Sequence, residues 1–301
     1  MRQKGNAMTT NFNTFAKAVI SEMKKHLEGY EITEMSITKH NDITLHGVTV
    51  RRNGSEYAPT MYLDASYEDY CNGHSLDSIV SNLVDIVVMS EPTAPIKSAS
   101  EMDFSFDAIK DKLTIRLIDT ELNKVYLQSH PYGLVGAGLA IVAEINISDG
   151  YKCVITNQIA EQFNLNMSEV FETARENMES KYPAKMISMQ SALFGDGNDN
   201  LLTDRGEIDM MNTLMSENSE GFGAVAIIYK GVAERIRDIL GDYYILPSSL
   251  HELIILRDCG NYKATDLKDM VTSANQTVVD ACDILSNSVF YYSEAGLQRV
   301  A

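Results

Sequence analysis

The sequence predicts an α+β fold in which mainly antiparallel sheets are flanked by helices. Amphipathic helical stretches and alternating strands follow one another in mixed order, with few strand–helix–strand alternations. Several neighbouring strands are separated by short turn sequences, as in hairpins. The 301 residues are 45% hydrophobic, which is enough for one large core or two smaller ones.

The N-terminal segment predicts an amphipathic helix. Residues 1–9 are polar and irregular, so we expect them to fray. Apolar residues then recur every three or four positions from Phe12 to Leu27, and Gly29 follows. This spacing predicts a helix that buries one face and ends near the glycine.

A hairpin with an irregular second strand is predicted next. Alternation changes phase in the middle of that strand, which predicts a β-bulge at 46–47. An Asn-Gly pair at 53–54 predicts a tight turn into a further strand over 57–63. Pro59 cannot donate a hydrogen bond to a neighbouring strand, so we expect this strand at a sheet edge.

A second helix and a boundary follow. Ser75 is a typical N-cap for the apolar helix over 76–87. Two prolines in 91–101 predict the boundary between two subdomains. We place these subdomains at 10–91, a helix–hairpin–helix unit, and at 102–295, a larger α+β unit.

The C-terminal two thirds of the chain predict a mixture of strands and helices. Strands are predicted over 113–117, 139–147, 151–156, 210–215, 224–229, 243–246, 251–257 and 289–292. Helices are predicted over 102–111, 167–178, 231–240 and 267–274, and residues 191–207 are predicted as a surface loop. Short hairpin turns between these strands favour antiparallel pairing.

The charge excludes some classes of partner. The chain has 25 basic and 42 acidic side chains, and its net charge is -17. A field of this sign repels phosphate backbones and anionic lipid surfaces, so we expect no direct nucleic-acid partner and no membrane partner. Two interpretations of the acidity stay open. The acidic surface serves solubility, or it mimics DNA and blocks a DNA-binding protein.

The sequence favours a reducing, cytoplasmic location. It contains no apolar run of about 18 residues and no secretory signal pattern. Its four cysteines have no zinc-ligand spacing, so we expect free thiols and no cofactor.

A glycine cluster resembles a phosphate loop only superficially. Gly133, Gly136 and Gly138 form G-x-x-G-x-G, the reverse of the dinucleotide fingerprint, and they precede a strand instead of opening a helix. We interpret them as turn residues.

A polar loop has partial calcium-loop spacing. The candidate ligands, in loop positions one, three, five, nine and twelve, are Asp196, Asn198, Asn200, Asp204 and Glu207. Position six should be glycine but is Leu201. Both a cation site and an ordinary loop therefore stay open.

The segment Ser248-Ser249-Leu250-His251-Glu252 contains residue types that serine hydrolases use. His251 and Glu252 would point to opposite faces of a strand, and the chain has no G-x-S-x-G elbow. A hydrolase and an ordinary turn both remain open, and so does a binding role for Ser248, Ser249, His251 and Glu252.

The segments 45–52, 57–63 and 243–252 together resemble an uncharacterised bacterial family, the domain-of-unknown-function family 5688 of Firmicutes. The resemblance runs from about Asn11 to Tyr292. It implies a bacterial origin but no activity. Similar genes often lie among accessory genes of mobile elements, so an antirestriction role stays among the alternatives.

We therefore expect a non-catalytic protein- or peptide-binding or regulatory module, with homo-oligomerisation left open. The edge strand 57–63 would accept a partner strand, and Arg51 and Arg52 would hold an acidic partner. Further predicted contacts on this edge are Tyr57, Thr60 and Tyr62. The alternatives are an acidic DNA mimic or antirestriction protein, and a serine hydrolase that uses 248–252.

Overall fold

The computed structural model describes residues 3–55, 58–90, 102–148, 151–195, 200–204, 208–217 and 222–301. The chain divides into two compact units. The first contains Met1–Lys39 and Ile43–Met102, and the second contains His40–Asp42 and Asp103–Ala301. None of the helices in the described ranges is both long enough and apolar enough to cross a membrane.

The first unit packs helices against a three-stranded antiparallel sheet with the order β1-β2-β3. Its elements are α1 (Gln3–His26), β1 (Tyr30–Thr38), β2 (Thr44–Arg52), β3 (Thr60–Tyr62), α2 (Asp64–Cys71) and α3 (Leu76–Met89). One face of the sheet, with Ile32, Val48, Val50 and Met61, packs against apolar residues of these helices, among them Val19, Met23 and Leu83.

Two predictions for this unit are wrong. Helix α1 begins at Gln3, so most of the segment expected to fray is helical. The predicted bulge at 46–47 does not exist, since β1 and β2 pair without a register shift. The phase change arises because Leu45 lies half-buried on the face opposite Val48. A Cβ on Gly47 would lie 2.3 Å from the Met61 carbonyl oxygen, so close packing of β3 requires this glycine.

Other predictions for this unit are confirmed. Ser55 N–H donates to the Arg52 carbonyl (2.9 Å) across the predicted turn. The Ser75 hydroxyl accepts a hydrogen bond from Ser78 N–H (3.2 Å) and caps α3. Strand β3 lies at a sheet edge, although it is only three residues long. The predicted boundary at 91–101 lies outside the described residues.

The second unit contains two antiparallel sheets. Its elements are α4 (Phe106–Ile109), β4 (Leu113–Asp119), β5 (Gly133–Gly136), β6 (Leu139–Ser148), β7 (Tyr151–Val154), α5 (Asn157–Gln162), α6 (Met167–Lys181), β8 (Ala184–Ser188), α7 (Met189–Phe194), β9 (Met211–Ser216), α8 (Val232–Leu240), β10 (Tyr243–Pro247), β11 (Leu253–Arg257), α9 (Ala264–Thr277), β12 (Phe290–Ser293) and β13 (Gly296–Arg299). One sheet has the order β4-β6-β5, with β7 also paired to β6, and the other has the order β13-β12-β10-β11-β9-β8. The predicted α+β fold is confirmed.

The main error in this unit concerns the predicted strand over 224–229. The segment Gly223–Ile228 is a 3-10 helix, and it is almost completely buried. A short apolar run of this kind has no periodicity that separates a strand from a helix. A Cβ on Gly223 would lie 2.2 Å from the His251 carbonyl oxygen, so the tight packing of this turn requires glycine. The short strands β5, β8 and β13 were not predicted.

Candidate functional site

The predicted acidic-partner site on the first unit is partly occupied by the chain itself. Arg51 forms an ion pair with Glu31, which lies directly opposite on β1, and both side chains are exposed. Arg52 follows at the end of β2, and its side chain is also exposed. Of the predicted contacts, Tyr57 lies outside the described residues.

Strand β3 does present a free edge. Val50 N–H donates to the Pro59 carbonyl (3.0 Å) and Leu63 N–H donates to the His46 carbonyl (2.8 Å). Because hydrogen-bonding residues alternate in an antiparallel pair, the backbone groups of Thr60 and Tyr62 point away from β2. Two outward residues make this a short edge for a partner strand.

The serines of 248–252 do not contact the histidine ring. The Ser249 hydroxyl accepts a hydrogen bond from the backbone N–H of His251 (3.0 Å), and Ser249 N–H donates to the Glu252 carbonyl (3.2 Å). The His251 ring instead pairs with Asp283, with 3.4 Å between Nε2 and Oδ2. In this fully described segment, no hydrogen bond joins the His251 ring to the hydroxyl of Ser248 or Ser249.

The calcium-loop candidates fall largely outside the described residues, which exclude Asp196, Asn198 and Glu207. Asn200 is described, and its side chain caps the backbone around β8. Its Oδ1 accepts hydrogen bonds from Met186 N–H and Leu202 N–H (both 3.1 Å), and its Nδ2 donates to the Ala184 carbonyl (3.0 Å). Asp204 Oδ2 accepts from Thr203 (3.2 Å). Over the described ranges, no three His, Cys, Asp or Glu side chains are grouped to hold a metal ion.

The glycine cluster accommodates an arginine. The backbone of Gly138 has φ +76°, and a Cβ there would lie 2.6 Å from Arg299 Nη2. Arg299 donates to the carbonyls of Ala137 (3.0 Å) and Gly138 (3.1 Å). Close approach of this guanidinium explains why glycine is needed at the end of the turn between β5 and β6.

A buried carboxylate fixes the same arginine. Asp119, at the end of β4, is 1% exposed. Its Oδ1 lies 2.9 Å from Arg299 Nη2, and its Oδ2 accepts a hydrogen bond from the Ser286 hydroxyl. The second Arg299 amino group, Nη1, donates to the Ser288 hydroxyl (3.1 Å). This network ties β13, the edge of the six-stranded sheet, to the turn that begins at β5, the edge of the four-stranded sheet.

An open groove of about 660 Å³ lies at these two edges, and we call it the β5–β13 groove. Its lining residues come from β5, β6, α6, the segment 227–234, β12 and β13. They are Leu134, Val135, Ile141, Ser168, Phe171, Glu172, Arg175, Ile227, Ile228, Tyr229, Lys230, Gly231, Ala233, Glu234, Tyr292 and Leu297. The apolar residues Ile141, Phe171 and Ile227 are buried or half-buried and are called its floor, and the four charged residues are exposed and are called its rim.

Both strand edges direct backbone groups away from their partner strands. On β13, Val300 N–H donates to the Val289 carbonyl (2.9 Å), so alternation turns the backbone groups of Leu297 outward. On β5, Gly133 pairs with Ile141, and the register shifts after Leu134. The backbone groups of Leu134 therefore also point away from β6, and its side chain is 72% exposed.

The rim of the groove carries both signs of charge. Arg175 and Lys230 are exposed and have no ion pair within the described parts of the chain, and Glu172 and Glu234 lie on the same rim. Burial and the neighbouring Glu234 carboxylate raise the pKa of Tyr292. Burial raises the pKa of Tyr229 to about 12. Both phenols are therefore neutral hydrogen-bonding groups at neutral pH.

A second polar cluster lies on the sheet formed by β4, β6 and β7. Glu144 is fully buried and forms an ion pair with Arg116. The Phe222 ring covers this pair, with its centroid 4.0 Å from Arg116 Cζ and 5.0 Å from Lys152 Nζ. Among the residues that the structure describes, Glu144 Oε2, Thr114 Oγ1 and Arg116 Nε are buried and have no hydrogen-bond partner. Since these atoms include both hydrogen-bond donors and hydrogen-bond acceptors, they do not indicate a ligand of one particular charge.

His40 lies near this cluster. Burial and the positive charge of Arg116 lower the pKa of His40 to about 4, while Cys282 and Asp42 act in the opposite direction. The imidazole is therefore neutral at neutral pH. Its ring lies edge-on to Tyr126, with 6.5 Å between the centroids.

The fold and groove define an α+β protein with an open cleft between two strand edges. The chain belongs to a family of unknown function, DUF5688, whose model matches residues 12–294. No curated protein and no solved structure matches the chain.

Sequence reasoning missed the groove because its residues come from six separate segments. The sequence signal near it was the cluster at 133–138, which we interpreted as turn residues; Gly133 and Gly136 lie instead in β5, and Gly138 lies in the turn that follows. Nothing in the sequence around Arg299, the third residue from the end of the given chain, indicated that it contacts Gly138.

Proposed function

We propose that this protein is a non-catalytic peptide-binding module that holds an extended segment of a partner protein in the β5–β13 groove. One observation supports this function above all: two strand edges that pair with no further strand of the described residues, those of β5 and β13, border the same open cavity. An extended chain placed there would gain main-chain hydrogen bonds from a strand edge and would bury side chains in the groove.

The dimensions and lining of the groove suit such a ligand. Its volume of about 660 Å³ lies in the range of ordinary ligand sites. The floor includes Ile141 and Phe171, which would take an apolar side chain of the segment. The outward backbone groups of Leu134 and Leu297 offer pairing to either side of it. Main-chain pairing supplies affinity in this mode, and the side-chain pockets supply specificity.

The mixed charge of the rim favours a protein partner over nucleic acid. Arg175, Lys230, Glu172 and Glu234 all line the groove, so its two positive and two negative charges leave the rim with no net charge. A phosphate backbone needs a predominantly basic surface, whereas a peptide with both signs of charge can match this rim. A cytoplasmic location, the antirestriction role and the hydrolase alternative remain predictions.

The experiment is a peptide selection followed by edge-blocking variants. Peptides selected on the full chain from a random display library would be measured against Leu134→Pro and Leu297→Pro by fluorescence anisotropy. Proline removes the outward N–H at each edge and leaves pairing with β6 or β12 intact. We expect at least about a tenfold rise in Kd, the equivalent of about 1.4 kcal/mol.

Leu134→Ala and Leu297→Ala are the matched controls, since alanine shortens the side chain and keeps the N–H. We expect these to bind more tightly than the proline variants. Selected peptides that bind both proline variants as tightly as the parent chain would contradict the proposal. Circular dichroism would establish that each variant is folded.

A further inference from the structure

In the described part of the first unit, the outer edge of β1 pairs with no other strand. Lys39 N–H donates to the Ile43 carbonyl (2.8 Å), and Asn53 N–H donates to the Gly29 carbonyl (2.9 Å). These bonds place the odd-numbered residues of β1 in hydrogen-bonded pairs with β2. The backbone groups of Ile32, Glu34 and Ser36 therefore point away from the sheet. This edge is nine residues long, three times the length of β3.

A groove of about 380 Å³ runs between this edge and α1, and we call it the α1–β1 groove. It is lined by Lys17, Ile20, Ser21, Lys24, Ile32 and Glu34. Ile20 and Ile32 give it an apolar base beside the outward backbone groups. Lys17, Ser21 and Lys24 are spaced four and three residues apart, so they lie on one face of the helix.

The charge of this groove is opposite to that of the whole chain. Lys17 and Lys24 are exposed, and neither has an ion pair within the described residues. By contrast, the neighbouring Lys25 pairs with Glu22 (2.6 Å). Two lysines and one glutamate leave a net positive groove in a chain of net charge -17. At physiological ionic strength, charges are screened over about 8 Å, so the lysines of this groove act on a segment that is bound directly beside them.

We propose that the α1–β1 groove docks an extended acidic segment of a partner protein, which adds to β1 as a further strand. Acidic side chains of the segment pair with Lys17 and Lys24, which are about 10 Å apart along the helix. Because successive side chains of a strand point to opposite faces, these acidic side chains face α1, with their aliphatic stems over Ile20 and Ile32, and the side chains between them face the other side of the sheet. This site is separate from the β5–β13 groove, since it lies in the first unit and favours a segment with acidic side chains.

The test uses two synthetic nine-residue probes, matched to the length of β1. One probe alternates glutamate with valine, the other alternates lysine with valine, and both have blocked termini and a fluorescent label. Anisotropy titrations would use the full chain, the double variant Lys17→Glu/Lys24→Glu, and Ser36→Pro, which removes one outward N–H of β1. We expect the acidic probe to bind the parent chain at least about tenfold more tightly than the lysine probe.

We expect each variant to lose at least about tenfold in affinity for the acidic probe. Lys25→Glu is the matched control, because this lysine is on the same helix but outside the groove, and it should keep the parent affinity within about twofold. Equal binding of the two probes, no binding of the acidic probe, or equal losses in the control and the double variant would overturn the proposal. Leu134→Pro separates the two sites: loss of acidic-probe binding in that variant alone would assign the probe to the β5–β13 groove and overturn the proposal.

Discussion

Replacing Arg299 by leucine should destabilise the second unit by several kcal/mol. In the parent protein, the guanidinium lies 2.9 Å from the Asp119 carboxylate and donates to the carbonyls of Ala137 and Gly138. Asp119 is 1% exposed, so replacing Arg299 leaves a buried carboxylate without its ion-pair partner. Breaking a buried pair by removing one partner costs about 3–5 kcal/mol.

The measurement is urea denaturation followed by circular dichroism at pH 7, with each cooperative transition fitted separately. A double-mutant cycle with Asp119→Asn separates the ion pair from the lost carbonyl contacts. We expect Arg299→Leu to cost less in the Asp119→Asn background than in the parent. Arg299→Lys is the conservative control, since it keeps the charge but cannot make the same set of hydrogen bonds.

A loss below about 1 kcal/mol in Arg299→Leu, the magnitude of an exposed pair, would refute this reasoning. So would a cost that is unchanged by Asp119→Asn, because the buried charge would then play no part in it.

Three further predictions concern single positions. Gly138→Ala should destabilise the protein by more than about 1 kcal/mol, since an L side chain at φ +76° is strained and also meets Arg299. A smaller loss of stability, measured from the denaturation midpoint, would contradict this. Gly47→Ala should cost more than Gly54→Ala in the same assay, because its Cβ would lie 2.3 Å from a backbone oxygen while that of Gly54 meets nothing within 4 Å; the reverse order would contradict the packing argument. His40→Phe should flatten the pH dependence of stability between pH 6.5 and 4. In the parent, the unfolded chain binds this proton more readily, so about 3 kcal/mol is present above pH 6.5 and is lost as the pH falls to 4; equal slopes in parent and variant would exclude His40 as the cause.

The fold class could be predicted because its signals are local. Ser75 caps α3 through its own hydroxyl, and the helix of 167–178 has its apolar face in four-residue steps. The errors arose where tertiary contacts decide the local structure. Gly223–Ile228 is an almost completely buried 3-10 helix, and its short apolar sequence has no periodicity that distinguishes it from a buried strand.

The candidate site could not be predicted because its parts are distant in the sequence. Leu134 and Leu297 are brought to one groove by Arg299 and Asp119, which are 180 residues apart. The sequence showed glycines at 133–138 but not the guanidinium that they accommodate. An edge strand exists within the predicted segment 57–63, but only over Thr60–Tyr62. The structure adds longer or better-lined edges at β1 and β5 that no local pattern indicated.

Backbone amide hydrogen exchange, with and without a peptide selected on the full chain, is the most direct test of the proposed function. We predict that the bound peptide slows exchange at Leu134 and Leu297, the outward-facing positions of β5 and β13, and leaves exchange in the first unit unchanged. Slower exchange elsewhere in the chain, with both of these amides unaffected, would contradict binding in the β5–β13 groove.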